Sequence, residues 1–231
     1  MKNKNKIVVL SLGGSMINGT NGFNLDFLKN FKAFVLSHVK AGYRFVIVCG
    51  GGRVCREYQD AAKAVGTDKF SDLDWIGIYT THFNANFMKI LFGRLAQDEV
   101  VTTEKNKIKW TKAILLSGGW KPGHSTDYDA VILAKKYGAK TMVNLSNIEY
   151  VFDKDPNKFA DAKKIEKINW KDFRKIVGNK WVPGANAPFD PIASREAEKL
   201  KLKVVVMNGK NLVELGKVLK GEEKIVGTII S

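Results

Sequence analysis

The sequence predicts an α/β fold in which helices cover both faces of a mainly parallel sheet. Three observations lead there. Short apolar runs alternate along the chain with helix-length amphipathic stretches. Three of those runs end in glycine-bearing turns: Ser11-Leu12-Gly13-Gly14-Ser15, Gly50-Gly51-Gly52-Arg53-Val54-Cys55-Arg56 and Ser117-Gly118-Gly119. No internal repeat or low-complexity linker divides the 231 residues. Alternating strands and helices pack as a parallel sheet covered on both sides. Such sheets bind ligands beyond the carboxyl ends of their strands, where all three turns fall.

The elements follow in order. Residues 6–10, with Ile7-Val8-Val9-Leu10, read as a strand. The first turn leads to a helix over 25–40, which Gly42 ends. Residues 44–49, with Phe45-Val46-Ile47-Val48, form a second strand, and its turn opens a helix over 54–65. A longer helix covers about 73–95, with Ile76, Tyr79, Phe83, Phe87, Ile90 and Leu91 close to a 3.6-residue period. Extended pieces follow at 100–102 and 113–116. A helix over 129–137 precedes a strand over 141–145. The loop Asp153-Lys154-Asp155-Pro156 opens an irregular, charged section. A short helix spans 170–177. Pro183-Gly184-Ala185-Asn186-Ala187-Pro188 is a loop, because Pro188 and Pro191 interrupt any helix before Ile192. A helix over 192–200, a strand over 204–207, a helix over 212–219 and a strand over 227–230 complete the chain.

Composition narrows the function classes. At 45% apolar residues the chain can bury a sizeable core. No run approaches the roughly 18 apolar residues of a membrane span. The basic segment Met1-Lys2-Asn3-Lys4-Asn5-Lys6 precedes an apolar run too short for a signal-peptide core. The expected location is cytoplasmic, away from any membrane. The net charge of +15 comes mostly from scattered lysines, with no aromatic–basic stacking motif. That pattern argues for a solvated surface and an anionic small substrate over nucleic acid. Cys49 and Cys55 are too few for a metal site and read as small buried residues. His38 lies on the apolar helix and reads as structural.

The turns carry the chemistry. A glycine turn at a strand end presents backbone N–H groups, and a following helix adds a positive dipole end. Two such turns suggest two anionic groups held side by side, as phosphoryl transfer requires. The first turn is neither a G-x-G-x-x-G fingerprint nor a P-loop. The second is stronger: three glycines admit close approach to the backbone, and Arg53 and Arg56 share a helix face. Arginine binds phosphate in a planar, bidentate way. The third segment, Gly118-Gly119-Trp120-Lys121-Pro122-Gly123-His124-Ser125-Thr126-Asp127, sets a lysine, a histidine and two hydroxyls beside an aspartate at a helix start. That set can hold phosphate oxygens, although an aspartate there can equally cap the helix.

Together, Ser11 to Ser15, Gly50 to Arg56, Gly123 to Asp127, Asp153 to Pro156 and Asp190 resemble the amino acid kinase superfamily. Within it the chain is most similar to the short archaeal-type UMP kinases, and the match runs in order over essentially the whole length. The resemblance implies one domain over 1–231 with a three-layer α/β/α sandwich around a mainly parallel sheet. The N-terminal part would bind the acceptor and oligomerise; about 140–231 would bind the nucleotide donor. It implies transfer of the ATP γ-phosphate to UMP, with Mg²⁺ on the donor phosphates and a hexamer built as a trimer of dimers. Gly14 and Ser15 would touch the ATP phosphates. Gly51 would hold UMP, and Gly52 and Arg56 would sit where the two phosphate groups meet. Asp74 would hold the ribose or base of UMP. Trp120, Lys121, Pro122, Gly123, His124, Ser125 and Thr126 would wrap UMP. Ser146, Phe152 and Asp155 would hold the donor near its adenine. Asp127 and Asp190 would organise the transfer centre with Arg56.

The chain departs from the pattern at several points. Bacterial relatives carry a lysine where Ser11 stands, which leaves Arg53, Arg56 and Lys121 as candidate cations. The donor segment reads Asn147-Ile148-Glu149-Tyr150-Val151-Phe152, with Tyr150 in place of the family glycine. Trp120 stands where UMP kinases often carry threonine. Two alternatives stay open on the residues: a kinase of this fold with another acceptor, and a non-catalytic ATP-binding storage or regulatory protein.

Overall fold

The computed structural model describes residues 6–105, 108–181 and 187–231. Residues 183–186 of the expected proline loop and the basic segment 1–5 lie outside the described residues. The elements begin with β1 (Lys6–Leu12), α1 (Gly14–Ile17), the short strands β2 (Asn18–Gly19) and β3 (Gly22–Phe23), α2 (Leu25–Lys40), β4 (Tyr43–Cys49), α3 (Gly52–Ala64), α4 (Phe70–Phe92) and β5 (Ile114–Ser117). The chain continues with α5 (Thr126–Tyr137), β6 (Thr141–Ser146), β7 (Val151–Phe152), β8 (Lys164–Ile165), β9 (Lys167–Ile168), α6 (Trp170–Val177), α7 (Pro191–Lys199), β10 (Lys203–Asn208), α8 (Leu212–Lys220) and β11 (Thr228–Ile230).

Seven strands form one sheet in the order β5-β4-β1-β6-β10-β11-β9. All pairings in it are parallel except β10 with β11. Connections run one way from β1 to β4 and β5, then return to the other side of β1 at β6. That reversal is the place where an open α/β sheet leaves a crevice.

Side-chain alternation builds the two faces. Leu10 and Leu12 of β1, Phe45 and Ile47 of β4, and Val205 and Met207 of β10 point to one face. There they pack on Phe31 and Val35 of α2, Met88 and Phe92 of α4, and Leu215 and Val218 of α8. Val9, Val46, Val48, Val204 and Val206 point to the other face. They meet Ala130 and Leu133 of α5, Phe173 of α6 and Ala193 and Ala197 of α7. The result is the expected three-layer sandwich.

Three details differ from the sequence reading. The irregular section holds two short pairings, β7 with β8 and β9 with β11. Residues 100–102 contribute a single bridge, Val101 to Ser117. The third concerns α4. Its apolar positions Tyr79, Phe83 and Ile90 are 62%, 71% and 73% exposed, while Asp74, Thr81 and Asn84 are buried. Part of the periodic stripe therefore faces outward in the single chain, and the inward face of the helix mixes these polar residues with Ile78, Ala85, Met88 and Phe92.

The glycines at the crevice are there for packing. A Cβ on Gly14 would lie 1.9 Å from the Gly52 nitrogen, and one on Gly50 would lie 2.6 Å from the Gly14 nitrogen. Gly52 also takes φ +74°, a conformation costly for any other residue. We therefore expect Gly14→Ala to cost about 3 kcal/mol by overpacking against backbone that cannot yield. Gly216→Ala is the contrasting case. Its Cβ would meet only Phe34, at 3.8 Å. A helical Gly→Ala with room gains roughly 0.5–1 kcal/mol. Urea unfolding midpoints of the two variants check both signs.

Candidate active site

The crevice forms because strand ends hand their hydrogen bonding on to the turns. The Gly13 N–H donates to the Leu145 carbonyl of β6 at 2.9 Å, and the Gly50 N–H donates to the Leu12 carbonyl of β1 at 2.9 Å. The turns after β1, β4 and β6 are thereby stitched side by side; a Cβ on Gly13 would lie 3.0 Å from the Leu145 carbonyl oxygen at the β6 end.

Helix α4 holds the other two turns in place. Asn84 Nδ2 donates to the carbonyls of Gly50 and Gly51 at 2.7 and 3.1 Å. Thr81 Oγ1 accepts from the Gly119 N–H at 2.7 Å, and His82 Nε2 lies 2.6 Å from the Gly119 carbonyl. Asp74 Oδ2 accepts from the Gly123 N–H at 2.9 Å. Thr81, His82 and Asn84 escaped the sequence reading. Their signal in the sequence was polar residues at helical spacing from Asp74; Thr81 and Asn84 are buried and His82 is half-buried.

Two carboxylates close the floor. Asp190 caps α7, with Oδ1 accepting from the N–H groups of Ile192 and Ala193 at 2.5 and 2.9 Å. Its Oδ2 accepts from the Ser125 N–H at 2.6 Å. Ser125 in turn caps α5, accepting from the Asp127 N–H at 3.2 Å. Asp127 receives Ser11 Oγ at 2.8 Å, Asn144 Nδ2 at 3.4 Å and the Asp190 N–H at 3.3 Å. Burial first, and the Asp190 charge second, push the Asp127 carboxyl up to about 7. Burial likewise raises Asp74, against the Gly123 hydrogen bond.

The expected residues divide into three groups. Gly14, Gly51, Gly52, Ser11, Asp127 and Asp190 gather around the crevice, and Asp74, Gly123, His124 and Ser125 join them through the 120–126 loop. Ser15 is half-buried in α1, and Thr126 begins α5. Pro122 is half-buried and Lys121 is exposed on the same loop. Trp120 is different: its ring is buried in the core with Nε1 donating to Ser117 Oγ at 3.3 Å. Only its backbone is available to a ligand. On the donor side, Ser146 ends β6 and Phe152 is half-buried on β7. Asp155 is exposed and accepts from Asn157, and among the described residues no hydrogen bond links it to the glycine turns.

The cations separate as well. Arg53 Nη1 donates to the Thr20 carbonyl at 2.8 Å, and its Nε lies 3.2 Å from Glu57 Oε1. Arg56 is exposed on the first turns of α3, with no ion pair among the described residues. Of the two arginines, Arg56 is the one left to meet an anion. Tyr150 is half-buried beneath Lys164, whose Nζ lies 4.8 Å from the ring centroid.

Backbone N–H turns and an exposed arginine are groups that can bind phosphate oxygens, and the recessed carboxylates hold the loop and helix ends beside them. Comparison with known proteins agrees. Residues 6–208 match the model of the amino acid kinase family. The chain belongs to that family. Among its relatives, the uridylate kinase of Methanosarcina barkeri is 35% identical over 94% of this chain and 92% of its own length. The uridylate kinase of Sulfurisphaera tokodaii is 30% identical over 96% and 98%. The crystal structure of uridylate kinase from Archaeoglobus fulgidus superposes with a TM-score of 0.80, at 29% identity over 97% of this chain and 99% of that one. UMP kinase from Bacillus anthracis shares the fold, with a TM-score of 0.75 at 23% identity over 98% and 96%.

The raised Asp127 gives this amino acid kinase a pH signature. The unfolded carboxyl ionises near the ordinary 3.8 and the folded one near about 7. Between those values folding retains a proton that the unfolded chain has lost, so this residue's contribution to stability falls as pH rises. Asp127→Asn removes that loss. Its melting temperature is expected to exceed wild type by roughly 3–6 °C at pH 8, with the gain vanishing towards pH 4. Differential scanning calorimetry across that range checks the slope.

Proposed function

We propose that the protein is a UMP kinase, transferring the γ-phosphate of ATP to UMP to give UDP. The observation that carries this reading is the backbone contact of Gly14 with Gly52. It sets the turn after β1, assigned to the donor phosphates, against the turn after β4, assigned to the acceptor. The names of the archaeal relatives support the acceptor, and the 120–126 loop supports its position beside Asp74.

The reaction asks little covalent chemistry of the protein. The phosphate of UMP has a second pKa of about 6, so it is already an anionic nucleophile near neutrality. Rate then comes from in-line positioning and charge neutralisation. Gly14, Ser15 and Gly52 would hold donor phosphates through backbone N–H groups. Arg56 would neutralise the phosphates where they meet. Asp74, Gly51 and the loop from Trp120 to Thr126 would hold UMP. Ser146, Phe152 and Asp155 would border the donor base. Asp127 and Asp190 would fix the loop and helix ends that frame the transfer. The described residues hold no group of three or more His, Cys, Asp or Glu side chains placed for a metal. Mg²⁺, entering with the triphosphate, would offset the charge of the donor phosphates.

A second part of the reading concerns assembly. Trp75, Tyr79, Phe83 and Ile90 line one exposed stripe of α4, beside Tyr58 of α3 and Phe23. An apolar surface of this kind is ordinarily covered by a partner. It supports self-association of the chain, with the hexamer as the expected form. No described helix is long and apolar enough to cross a membrane.

Two measurements test the reading. A coupled ADP-release assay is expected to show UMP turnover, with CMP and non-nucleotide acceptors slower by tenfold or more. Turnover of another phosphate or a carboxylate in its place contradicts the acceptor, and ATP binding with no transfer to any acceptor contradicts the kinase. In the same assay Arg56→Ala is expected to lower kcat by about 10²–10³, with an unchanged melting temperature because the side chain is exposed. For assembly, light scattering of Phe83→Lys is expected to give a smaller species than wild type. A wild type that is monomeric at assay concentration contradicts self-association.

A further inference from the structure

One buried group has no part in the mechanism above. Asp129, in the first turn of α5, is 1% exposed, yet among the described residues neither carboxyl oxygen has a hydrogen-bond partner. Buried carboxylates without partners are costly, so a retained one calls for a reason. Its neighbour is His124, whose Nδ1 lies 3.7 Å from Asp129 Oδ1. The backbone N–H of Trp120 faces the carboxyl as well, short of hydrogen-bond geometry. Asp129 thus lies beneath both ends of the acceptor loop.

His124 is 9% exposed, and its two nitrogens differ. Nδ1 lies 3.2 Å from the Ser125 carbonyl, and the Asp129 carboxyl lies 3.7 Å from it, beyond hydrogen-bond reach. Nε2 is buried with no hydrogen-bond partner among the described residues. The carbonyl acceptor at Nδ1, with the Asp129 carboxyl behind it, places the ring proton there, because the bond at one nitrogen fixes the state of the other. Burial holds the ring below its ordinary pKa, which keeps it neutral near pH 7. Nε2 then carries a bare lone pair in the loop that also bears Lys121 and touches Asp74 and Asp190. It lacks a donor. UMP carries several: the uracil N3–H and the ribose hydroxyls.

We propose that Asp129 is a positioning residue for the acceptor site, acting through His124, whose Nε2 it presents as a hydrogen-bond acceptor to a donor group of the acceptor nucleotide. The assignment rests on the acceptor reading given above. It explains why an unpaired carboxyl sits under a loop that Asp74 and Asp190 already anchor at Gly123 and Ser125. Replacing a buried, unpaired carboxyl by a similar apolar side chain is neutral or stabilising. Loss of acceptor binding should therefore come without loss of stability.

The test combines spectra with kinetics on the full chain. With only three histidines, ¹⁵N-edited side-chain spectra resolve His124. The ligand-free protein is expected to show the Nδ1–H tautomer, with the Nε2 resonance moving when UMP is added. An Nε2–H tautomer, or an Nε2 resonance indifferent to saturating UMP, overturns the proposal. Asp129→Leu is expected to raise KM for UMP about tenfold, leaving kcat and KM for ATP within twofold and the melting temperature unchanged or higher. Asp129→Asn, which keeps an acceptor for Nδ1–H, should restore KM to within about threefold of wild type. The double variant Asp129→Leu/His124→Gln should match His124→Gln alone, as coupled residues do. Unchanged KM in Asp129→Leu, additive effects, or a parallel fall in kcat and stability overturn the proposal. A wild type that binds UMP but does not phosphorylate it sinks the kinase reading instead, and the spectra still decide the geometry of His124.

Discussion

The architecture depends on a contact between two stretches of bare backbone. Gly14 and Gly52 approach so closely that neither could carry a side chain, and Gly50 is confined in the same way. Side chains at these positions would hold the turns after β1 and β4 several ångströms apart. Without them, the two turns become one surface of amides at the switch point of the sheet. Everything assigned to the crevice is arranged around that surface. The strand ladders supply its base through Leu12 and Leu145, and α4 supplies its side through Asn84 and Thr81. A site assembled from main chain is insensitive to rotamers and needs little reorganisation when ligand arrives, which suits a reaction whose barrier is mostly positioning and charge.

The acidic residues have a related task. Asp74, Asp127 and Asp190 come from α4, α5 and the cap of α7, and each accepts backbone N–H or hydroxyl donors across the crevice. They are framing groups first. Asp190 links Ser125 to the start of α7, so that α5 and α7 begin at fixed positions relative to each other. Burial first, and the nearby Asp190 second, raise Asp127, so the recessed pair carries a cost in stability above the ordinary carboxyl range.

Much of this was legible in the sequence. Strand–turn–helix alternation gave the sheet, its covering helices and the common placement of the glycine turns, because the period of apolar residues reports burial directly. Asp127 was legible at a helix start, where an aspartate can cap the helix, whereas Asp190 entered only through the resemblance. What escaped followed from physics that a linear reading does not contain. The glycines appeared to admit a ligand; they first admit each other. Tyr79, Phe83 and Ile90 have the period of a buried face but are exposed in the single chain, and the face turned inward carries Asp74, Thr81 and Asn84 among Ile78, Met88 and Phe92. Trp120 sits inside a binding loop yet points to the core, because its neighbours Gly119 and Gly123 carry the loop's contacts. Arg53 and Arg56 share a helix face, and only a distant carbonyl, that of Thr20, distinguishes them.

The central claim is that donor and acceptor phosphates meet over one amide surface. The most direct test is calorimetric titration with a bisubstrate nucleotide in which adenosine and uridine are joined through five phosphates. The account predicts one molecule bound per chain, at least tenfold tighter than ATP or UMP alone and displaced by either. Binding no tighter than the separate nucleotides, or two molecules per chain, would contradict it.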